Sequence, residues 1–352
     1  MVRQAIPVLP IPRAPRNPLV GGGGAGKTAE MTFIGYHASH EQLPPSALLR
    51  FVQDAERASF DGAMCSDHYA PWGVRQGESG FAWSWLGAAL ASTSFSIGVV
   101  NAPGQRYHPA VIAQAIATLE EMFPGRFWAA LGSGEAMNEH ITGDPWPSKD
   151  DRNARLDESL DAIRRLLAGE EVSVDGHVRV HRARLWSRPA HPPPLLGAAV
   201  SDTTAGWLAG RVDGLATVAQ DPAALRRVVE EYRSHGGTGP CVLQVHVSLA
   251  ETDAEALALA RDQWPNGLIG PPRAWDFDDP EDFDAAVANP DDDELRKAVL
   301  VDSDAASLAD RIAELAAIGF DRLYLHHVGK EQTSFLRRAE TELLPRLREV
   351  AS

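Results

Sequence analysis

The stretch FSIGVVNAPGQRYHPAVIAQAIATLEEMFPGRFWAALGSGE, residues 95–135, contains a complete strand–helix–strand unit. Its two ends, FSIGVVN and RFWAALGSGE, are short apolar runs bounded by Gly, Asn or Pro, as is typical of buried strands. Between them, HPAVIAQAIATLEEM repeats apolar residues at intervals of three and four, which predicts an amphipathic helix. The order of these elements is that of a βαβ unit, the building block of parallel sheets.

The same alternation continues on both sides of this unit, from Thr32 to the last strand candidate. The strand candidates share short, β-branched or apolar compositions: TFIGYHA, GAMCSDH, FSIGVVN, RFWAALGSGE, PLLGAAV, GLATVAQ, CVLQVHVSLA and RLYLHHV. Eight strands alternating with helices predict an α/β fold of the (β/α)8 TIM-barrel type with insertions. We expect one barrel domain over residues 31–352, with a β-rich insertion at 172–189 and a second at 263–301 that forms a lid.

Residues 1–30 are rich in Pro and Gly and include GGGGAGKT (21–28), which matches the phosphate-loop pattern of nucleotide-binding proteins. In those proteins the pattern follows a strand and opens a helix. Here five prolines precede it and a short connector follows, so neither flanking element is predicted. We therefore interpret residues 1–30 as a disordered extension ahead of Met31, and not as a nucleotide site.

Composition excludes several classes of function. The 352-residue chain carries a formal charge of −15, which argues against nucleic acid or an anionic membrane surface as a partner. Its two cysteines cannot form a disulfide framework, which suits a reducing cytoplasm. No apolar run approaches the roughly 20 residues that a membrane span requires. The composition therefore suits a cytoplasmic protein.

Polar residues end several of the predicted strands. In a TIM barrel the active site forms at the carboxyl ends of the strands, so these residues are the candidates. They are Ser66, Asp67, His68, Asn101, Ser133, Glu135, Gln220, His326 and His327. A histidine and a glutamate at one mouth could transfer protons near neutral pH. Each also has an ordinary structural explanation, such as a turn cap for Asp67 or a helix start for Glu135.

A metal-dependent TIM-barrel hydrolase is the alternative function. Its best support is His37 and His40, an H-x-x-H spacing just after the first strand. No second close pair of His or carboxylate residues completes a ligand set at the other strand ends. We therefore predict no metal site.

Four motifs resemble those of the luciferase-like flavin and deazaflavin oxidoreductases, especially the branch typified by F420-dependent glucose-6-phosphate dehydrogenase. They are SDHYAPW (66–72), RYHPAVIAQAIATL (106–119), LGSGEAMNE (131–139) and LYLHH (323–327). The similarity runs in order from about Met31 to the C-terminus. Three further stretches resemble a subgroup regarded as having reverted from F420 to an ordinary flavin: GYHASHEQ (35–42), NAPGQRYHP (101–109) and EMFPGRFW (121–128).

The resemblance implies a barrel whose mouth holds FMN or coenzyme F420, with a hydride moving between that cofactor and a small organic substrate, including in monooxygenase chemistry. It implies that His68 is the base, that Asp67 or another acid fixes its tautomer, that Glu135 is the proton donor or acceptor, and that Trp72 packs against the reacting groups. It places a non-prolyl cis peptide bulge at Val99 and Val100, behind the cofactor ring. The residues it implies for cofactor binding are Asp67, Val99, Val100, Asn101, Gly132, Ser133, Gly134, Asn138, Ala198 and Ala199.

The sequence also departs from this branch of the family. Gln220 and Ala298 stand where basic residues would bind the phosphate of a sugar phosphate, so we do not expect a phosphorylated sugar as substrate. Ala198 and Ala199 replace a Gly-Gly pair after the fifth strand, which gives a slight preference for FMN over F420. Basic residues that could still meet an anionic F420 tail are Arg75, Arg106 and Arg126. Relatives in the family suggest a homodimer.

Overall fold

The strands of the molecule follow the predicted order. A computed structural model describes residues 33–270 and 272–350, so the extension expected at residues 1–30 lies outside the described residues. Along the chain the strands are β1 (Phe33–Ala38), β2 (Ala63–Ser66), β3 (Ile97–Asn101), β4 (Phe127–Leu131), β5 (Val172–Asp175), β6 (Arg179–Ala183), β7 (Leu195–Ala198), β8 (Leu215–Val218), β9 (Cys241–Leu249), β10 (Leu300–Asp302) and β11 (Arg322–His327).

Eight of these strands close into a parallel barrel. The order around the barrel is β1, β2, β3, β4, β7, β8, β9 and β11, and β11 pairs again with β1. The contact between β8 and β9 closes the ring. The (β/α)8 prediction is therefore confirmed. Strand β10, which was not predicted, pairs with residues 247–249 of β9, beyond the point where β8 ends.

Helices surround the barrel. They are α1 (Pro45–Arg57), α2 (Ala82–Ser92), α3 (Pro109–Met122), α4 (Ala136–Glu139), α5 (Lys149–Ala168), α6 (Asp202–Leu208), α7 (Pro222–Ser234), α8 (Asp253–Gln263), α9 (Pro280–Ala286), α10 (Asp292–Ala298), α11 (Ala305–Ala316), α12 (Gln332–Arg338) and α13 (Leu344–Val350). Short 3-10 turns lie at His140–Thr142, Pro265–Leu268 and Arg273–Trp275, and a π-helical turn lies at Ala339–Leu343. Within the described ranges, no helix combines the length and the apolar character that crossing a bilayer requires.

The two insertions take different forms. Strands β5 and β6 pair antiparallel as a hairpin separate from the barrel sheet, in the segment predicted to be β-rich. The second segment, 263–301, contains α9, α10 and two 3-10 turns, and we call it the lid segment. Its residues Trp264, Leu268, Trp275 and Ala298 line the cavity at the barrel mouth. The lid segment therefore shapes the site.

Alternation along each strand separates two apolar layers, because successive side chains of a strand point to opposite faces. On β3, Val99 faces the layer between barrel and helices, whereas Val100 packs with the barrel interior. Gly98 also belongs to the inner face, where a Cβ atom would lie 2.0 Å from Cε2 of the Trp128 ring. That ring is fully buried. A glycine at position 98 is therefore required by the close approach of Trp128.

We expect Gly98→Ala to lower the free energy of unfolding by about 1–3 kcal/mol, because the buried Trp128 ring must shift to admit a methyl group. Urea denaturation of the purified protein would measure the change. The matched control is Gly87→Ala in the interior of α2, where an added Cβ meets nothing within 4 Å. This control should gain stability, by about 0.4–1 kcal/mol. Equal effects of the two substitutions would contradict the packing explanation.

Candidate active site

A cavity of about 540 Å³ opens at the carboxyl ends of the barrel strands and is roofed by the lid segment. This volume lies within the usual range for small-molecule and cofactor sites. Most of the residues predicted for the site line it: Asp67, His68, Trp72, Val100, Asn101, Gly132, Ser133, Gly134, Glu135, Asn138, Ala198 and Ala199. Three predicted residues do not line it: Val99, whose side chain is buried in the outer apolar layer, and the strand-end candidates His326 and His327, which are buried. The cavity therefore brings together predicted residues from four separate segments of the chain.

His68 lies between two carboxylates. Its Nδ1 is 3.7 Å from Oε1 of Glu41, and its Nε2 is 3.7 Å from Oε2 of Glu135. Glu41 is nearly inaccessible, and it accepts hydrogen bonds from the hydroxyls of Ser39 and Ser66. An imidazole with a carboxylate at each nitrogen can accept a proton on one side while its charge is stabilised from the other.

The environments of the two carboxylates shift their pKa values in opposite directions. Burial alone would raise the pKa of Glu41, but the neighbouring His68 and the two serine hydroxyls outweigh it and hold that pKa below its usual value. Burial raises the pKa of Glu135, and the Glu41 carboxylate adds to the rise while His68 opposes it. Glu41 is thus suited to stay ionised and Glu135 to hold a proton, which is how a site separates acid and base roles.

Asn138 fixes the position of Glu135. Its Nδ2 donates to Oε2 of Glu135 over 3.2 Å, while its Oδ1 accepts from the backbone N–H of Tyr69 over 2.8 Å. The amide is therefore anchored to the loop after β2 and presents its donor to the carboxylate. Asn138 was expected to bind the cofactor, and in this structure its side chain contacts Glu135.

Asp67 has a different set of partners from the one expected. We expected it, or another acid, to fix the tautomer of His68, but Glu41 is the carboxylate beside Nδ1. Asp67 Oδ2 accepts from Nε1 of Trp83 and from Nδ2 of Asn101, and it lies 3.6 Å from Nη2 of Arg106. The carboxylate of Asp67 thus ties β2, β3 and α2 together behind the cavity.

Trp72 packs against His68, with 4.8 Å between their ring centroids. On its other side it meets Phe283 of α9 edge to face at 5.3 Å. The tryptophan therefore connects His68 to the lid segment and covers one side of the imidazole with apolar surface.

Comparisons with known proteins show the family to which the chain belongs. The profile of the family described as luciferase-like monooxygenase matches residues 28–322. The chain belongs to this family. The F420-dependent glucose-6-phosphate dehydrogenase of Beutenbergia cavernae is 36% identical over 332 residues, covering 90% of this chain and 98% of that protein. The protein of the same name from Mycobacterium tuberculosis is 31% identical over 330 residues, with 90% and 98% coverage.

Solved structures show the same relationship. An F420-dependent secondary alcohol dehydrogenase, in complex with an F420-acetone adduct, aligns with a TM-score of 0.82 and 27% identity, over 90% of this chain and 99% of that one. An FMN-bound type II Baeyer-Villiger monooxygenase from Pseudomonas putida shares the fold, with a TM-score of 0.67 and 16% identity, over 90% and 99%. The luciferase-like assignment made from the motifs is confirmed, and the protein is an oxidoreductase of this class.

The histidines of this luciferase-like enzyme form a buried row behind His68. Ring centroids are 4.7 Å apart between His37 and His326 and 5.3 Å apart between His326 and His246. Burial lowers the pKa of His37 to about 4 and that of His246 to about 3, so both are neutral at pH 7. His40 lies apart, edge-on to Trp85. Over residues 33–270 and 272–350, no group of three or more His, Cys, Asp or Glu could hold a metal ion.

The basic residues considered for an anionic tail are spread over the molecule. Arg106 lines the cavity, but Arg75 lies on the exterior in an ion pair with Asp262. Arg126 stands at the amino end of β4 and donates to the carbonyls of Leu90, Thr93 and Phe95. It is therefore at the opposite end of the barrel from the cavity.

The positions at which the sequence departs from its sugar-phosphate relatives do line the cavity. Gln220 donates through Nε2 to the carbonyl of Val200 over 2.8 Å, and Ala298 comes from the end of α10. Neither side chain carries a charge.

Glu41 is the main site residue that sequence reasoning missed. It lies three residues beyond the end of β1, within the quoted GYHASHEQ motif. Applying the strand-end rule to β1 as well as to the other strands would have found it.

Proposed function

We propose that the protein transfers a hydride between a bound FMN or F420 and a small organic alcohol or carbonyl compound. The observation that carries the proposal is the placement of His68 between Glu41 and Glu135 inside the cavity. Removing a hydride from a C–OH carbon requires a base for the hydroxyl proton, and a histidine supported by a carboxylate is suited to that task.

The cavity residues fit a flat, heteroatom-rich ring. Gly132, Gly134, Ala198 and Ala199 line part of the cavity with small side chains, which leaves room for a ring against the backbone. Thr217 Oγ1 and Asn101 Oδ1 are buried polar atoms of cavity-lining residues without a hydrogen-bond partner. Such atoms can satisfy the polar edge of a ring. A flavin or deazaflavin bound here would supply the hydride acceptor or donor.

The chain's own residues would handle the protons. His68 would accept the substrate's hydroxyl proton, and Glu41 would stabilise the resulting imidazolium from the Nδ1 side. Glu135, held by Asn138, would give or take a proton on the cofactor side. Trp72 and the lid segment would exclude water, which strengthens these interactions.

Titration of the purified protein with FMN and with F420, each oxidised and reduced, tests the proposal. We expect quenching of cofactor fluorescence with a dissociation constant in the micromolar range or tighter for at least one of them. The dehydrogenase relatives favour F420, whereas the replacement of Gly-Gly by Ala198 and Ala199 favours FMN. Comparing the dissociation constants of the two cofactors identifies the preferred one. ATP is the control ligand, since GGGGAGKT would bind it if that motif were functional. Binding of ATP without binding of either cofactor would overturn the proposal.

Turnover can then be sought with the preferred cofactor. A panel of primary alcohols, secondary alcohols and sugars, each with and without a phosphate group, would be screened by the change in cofactor absorbance. We expect unphosphorylated alcohols to be the better substrates, because Gln220 and Ala298 are uncharged. Oxygen uptake with the reduced cofactor would reveal monooxygenase chemistry in the same assay.

A further inference from the structure

Three cationic side chains line the cavity: Arg106, Lys149 and Lys297. Arg106 lies 3.6 Å from a carboxylate oxygen of Asp67 and 3.8 Å from one of Glu139. Lys297 lies 2.6 Å from Oε1 of Glu294. Lys149 differs from both, because no carboxylate oxygen of the described residues lies within 4 Å of its Nζ. Of the three cavity-lining cations, Lys149 is therefore the one without a carboxylate partner among the described residues.

Lys149 is held in a defined position at the start of α5. Its Nζ donates to Oγ of Ser133 over 2.9 Å and lies 5.6 Å from the centre of the Trp275 ring in the lid segment. Ser133 belongs to the Gly132–Gly134 turn that follows β4, and it also lines the cavity. Burial lowers the pKa of Lys149, and the neighbouring Arg152 lowers it further.

The neighbouring cation cannot take over this role. Arg152 donates to the carbonyl of Pro147, stacks over the Trp146 ring at 4.4 Å and lies 3.9 Å from Asp276. It does not line the cavity, so its charge is committed to holding the loop before α5 against the lid segment. Among the residues that the structure describes, Lys149 is the cation at the start of α5 that lines the cavity.

A half-buried ammonium group has three donors, and removing it from water is unfavourable unless it gains partners of opposite charge. Lys149 has one hydroxyl and one aromatic face as partners, and neither is an anion. A lysine so placed is suited to a phosphate or carboxylate, to which it binds as a point charge. Gln220 and Ala298 supply no such charge on their side of the cavity.

We propose that Lys149 and Ser133 form an anion-binding subsite that holds a phosphate or carboxylate group of a molecule in the cavity. The anionic group is either the phosphate that FMN and F420 both carry or a carboxylate of the substrate. The inference rests on the proposed function only in so far as it concerns the cofactor, because the subsite can also be tested with inorganic phosphate.

Paired titrations test the cofactor as the source. FMN is compared with riboflavin, and F420 with the same deazaflavin lacking its phosphate and tail, in the wild type, Lys149→Gln and Lys149→Arg. We expect Lys149→Gln to weaken binding of the phosphorylated member about tenfold or more, as for loss of a charged hydrogen bond, and to leave the unphosphorylated member unchanged. Lys149→Arg should recover part of the loss. Lys297→Gln is the matched control, and its affinities should stay within about twofold, because its charge is already paired and exposed.

Inorganic phosphate tests the substrate as the source and does not depend on any cofactor. At constant ionic strength, phosphate should raise the Tm of the wild type and of Lys297→Gln but not that of Lys149→Gln. If phosphate discriminates the variants while the paired cofactor titrations do not, the anion belongs to the substrate. If Lys149→Gln matches the wild type in both measurements, the subsite does not exist, even where FMN or F420 binds well. If no cofactor binds but phosphate still discriminates, the proposed function fails and the subsite stands.

Discussion

His68→Asn is expected to lower kcat for hydride transfer by about 10²- to 10⁴-fold, the usual contribution of a general base, while cofactor affinity stays within about twofold. Asparagine keeps a hydrogen-bonding side chain of similar reach but cannot accept the substrate's proton. The contact with Trp72 persists in part, so the cavity should keep its shape. Stopped-flow measurement of cofactor reduction by an alcohol identified in the substrate screen would give the rate, and fluorescence quenching would give the affinity.

The control for this variant is His140→Asn. His140 lies a few residues from Glu135 but hydrogen-bonds through Nδ1 to the carbonyl of Ala136 and does not line the cavity. Its substitution should leave both measurements unchanged. Turnover by His68→Asn within threefold of wild type would refute the assignment of His68 as base. A loss of cofactor binding parallel to the loss of turnover would instead make His68 a binding residue.

The fold was largely predictable because short apolar runs alternate with helical periodicity along the whole barrel, and each of these patterns is local in the sequence. Each barrel strand is a short apolar run. Apolar periodicity predicts six helices, and all six are present as α1, α3, α5, α6, α7 and α11; their sequences are PSALLRFVQDAERAS, HPAVIAQAIATLEEM, ARLDESLDAIRRLLAG, TTAGWLAGRV, DPAALRRVVEEYRSH and AASLADRIAELAAIG. Helix α2 was not identified, because buried residues such as Trp83, Trp85 and Leu86 occupy too much of its surface to leave a clear polar face. Helix α8 was not identified either, although Thr252 and Glu255 form a capping box at its start.

The candidate site was predictable only in part. Position at strand ends identified His68 and Glu135, because parallel strands bring their carboxyl ends to one mouth. The choice of partner for His68 depends on where each carboxylate points, and the sequence offered Asp67 as its immediate neighbour. The carboxylate of Asp67 instead contacts Trp83 in α2, Asn101 at the end of β3 and Arg106 in the loop before α3. The partners of one carboxylate are decided by residues that are distant in the sequence and meet only in the folded protein, so no local sequence pattern reveals them.

Glu135→Gln is expected to lower the rate of cofactor reduction by about 10²-fold or more, as for loss of a general acid. It should also remove one limb of the pH profile. Because the folded-state pKa of Glu135 is raised, this carboxyl is protonated at low pH and loses its proton as the pH rises through that pKa. In the direction of alcohol oxidation the protonated form is the proton donor, so the wild-type rate should fall as the pH rises through this pKa. The glutamine variant should lack that fall.

Glu120→Gln is the matched control, because it makes the same chemical change at another buried glutamate. Burial raises the pKa of Glu120 to about 7, but this residue lies near the end of α3 and accepts from the backbone N–H of Gly125, away from the cavity. Its folded form therefore binds a proton more tightly than the unfolded chain, and the stability it contributes is lost as the pH rises toward 7. Glu120→Gln should change this pH dependence of stability and leave the pH profile of kcat intact. If Glu120→Gln instead abolishes the fall of kcat with rising pH, that fall reflects loss of folded protein, and Glu135 is not the proton donor.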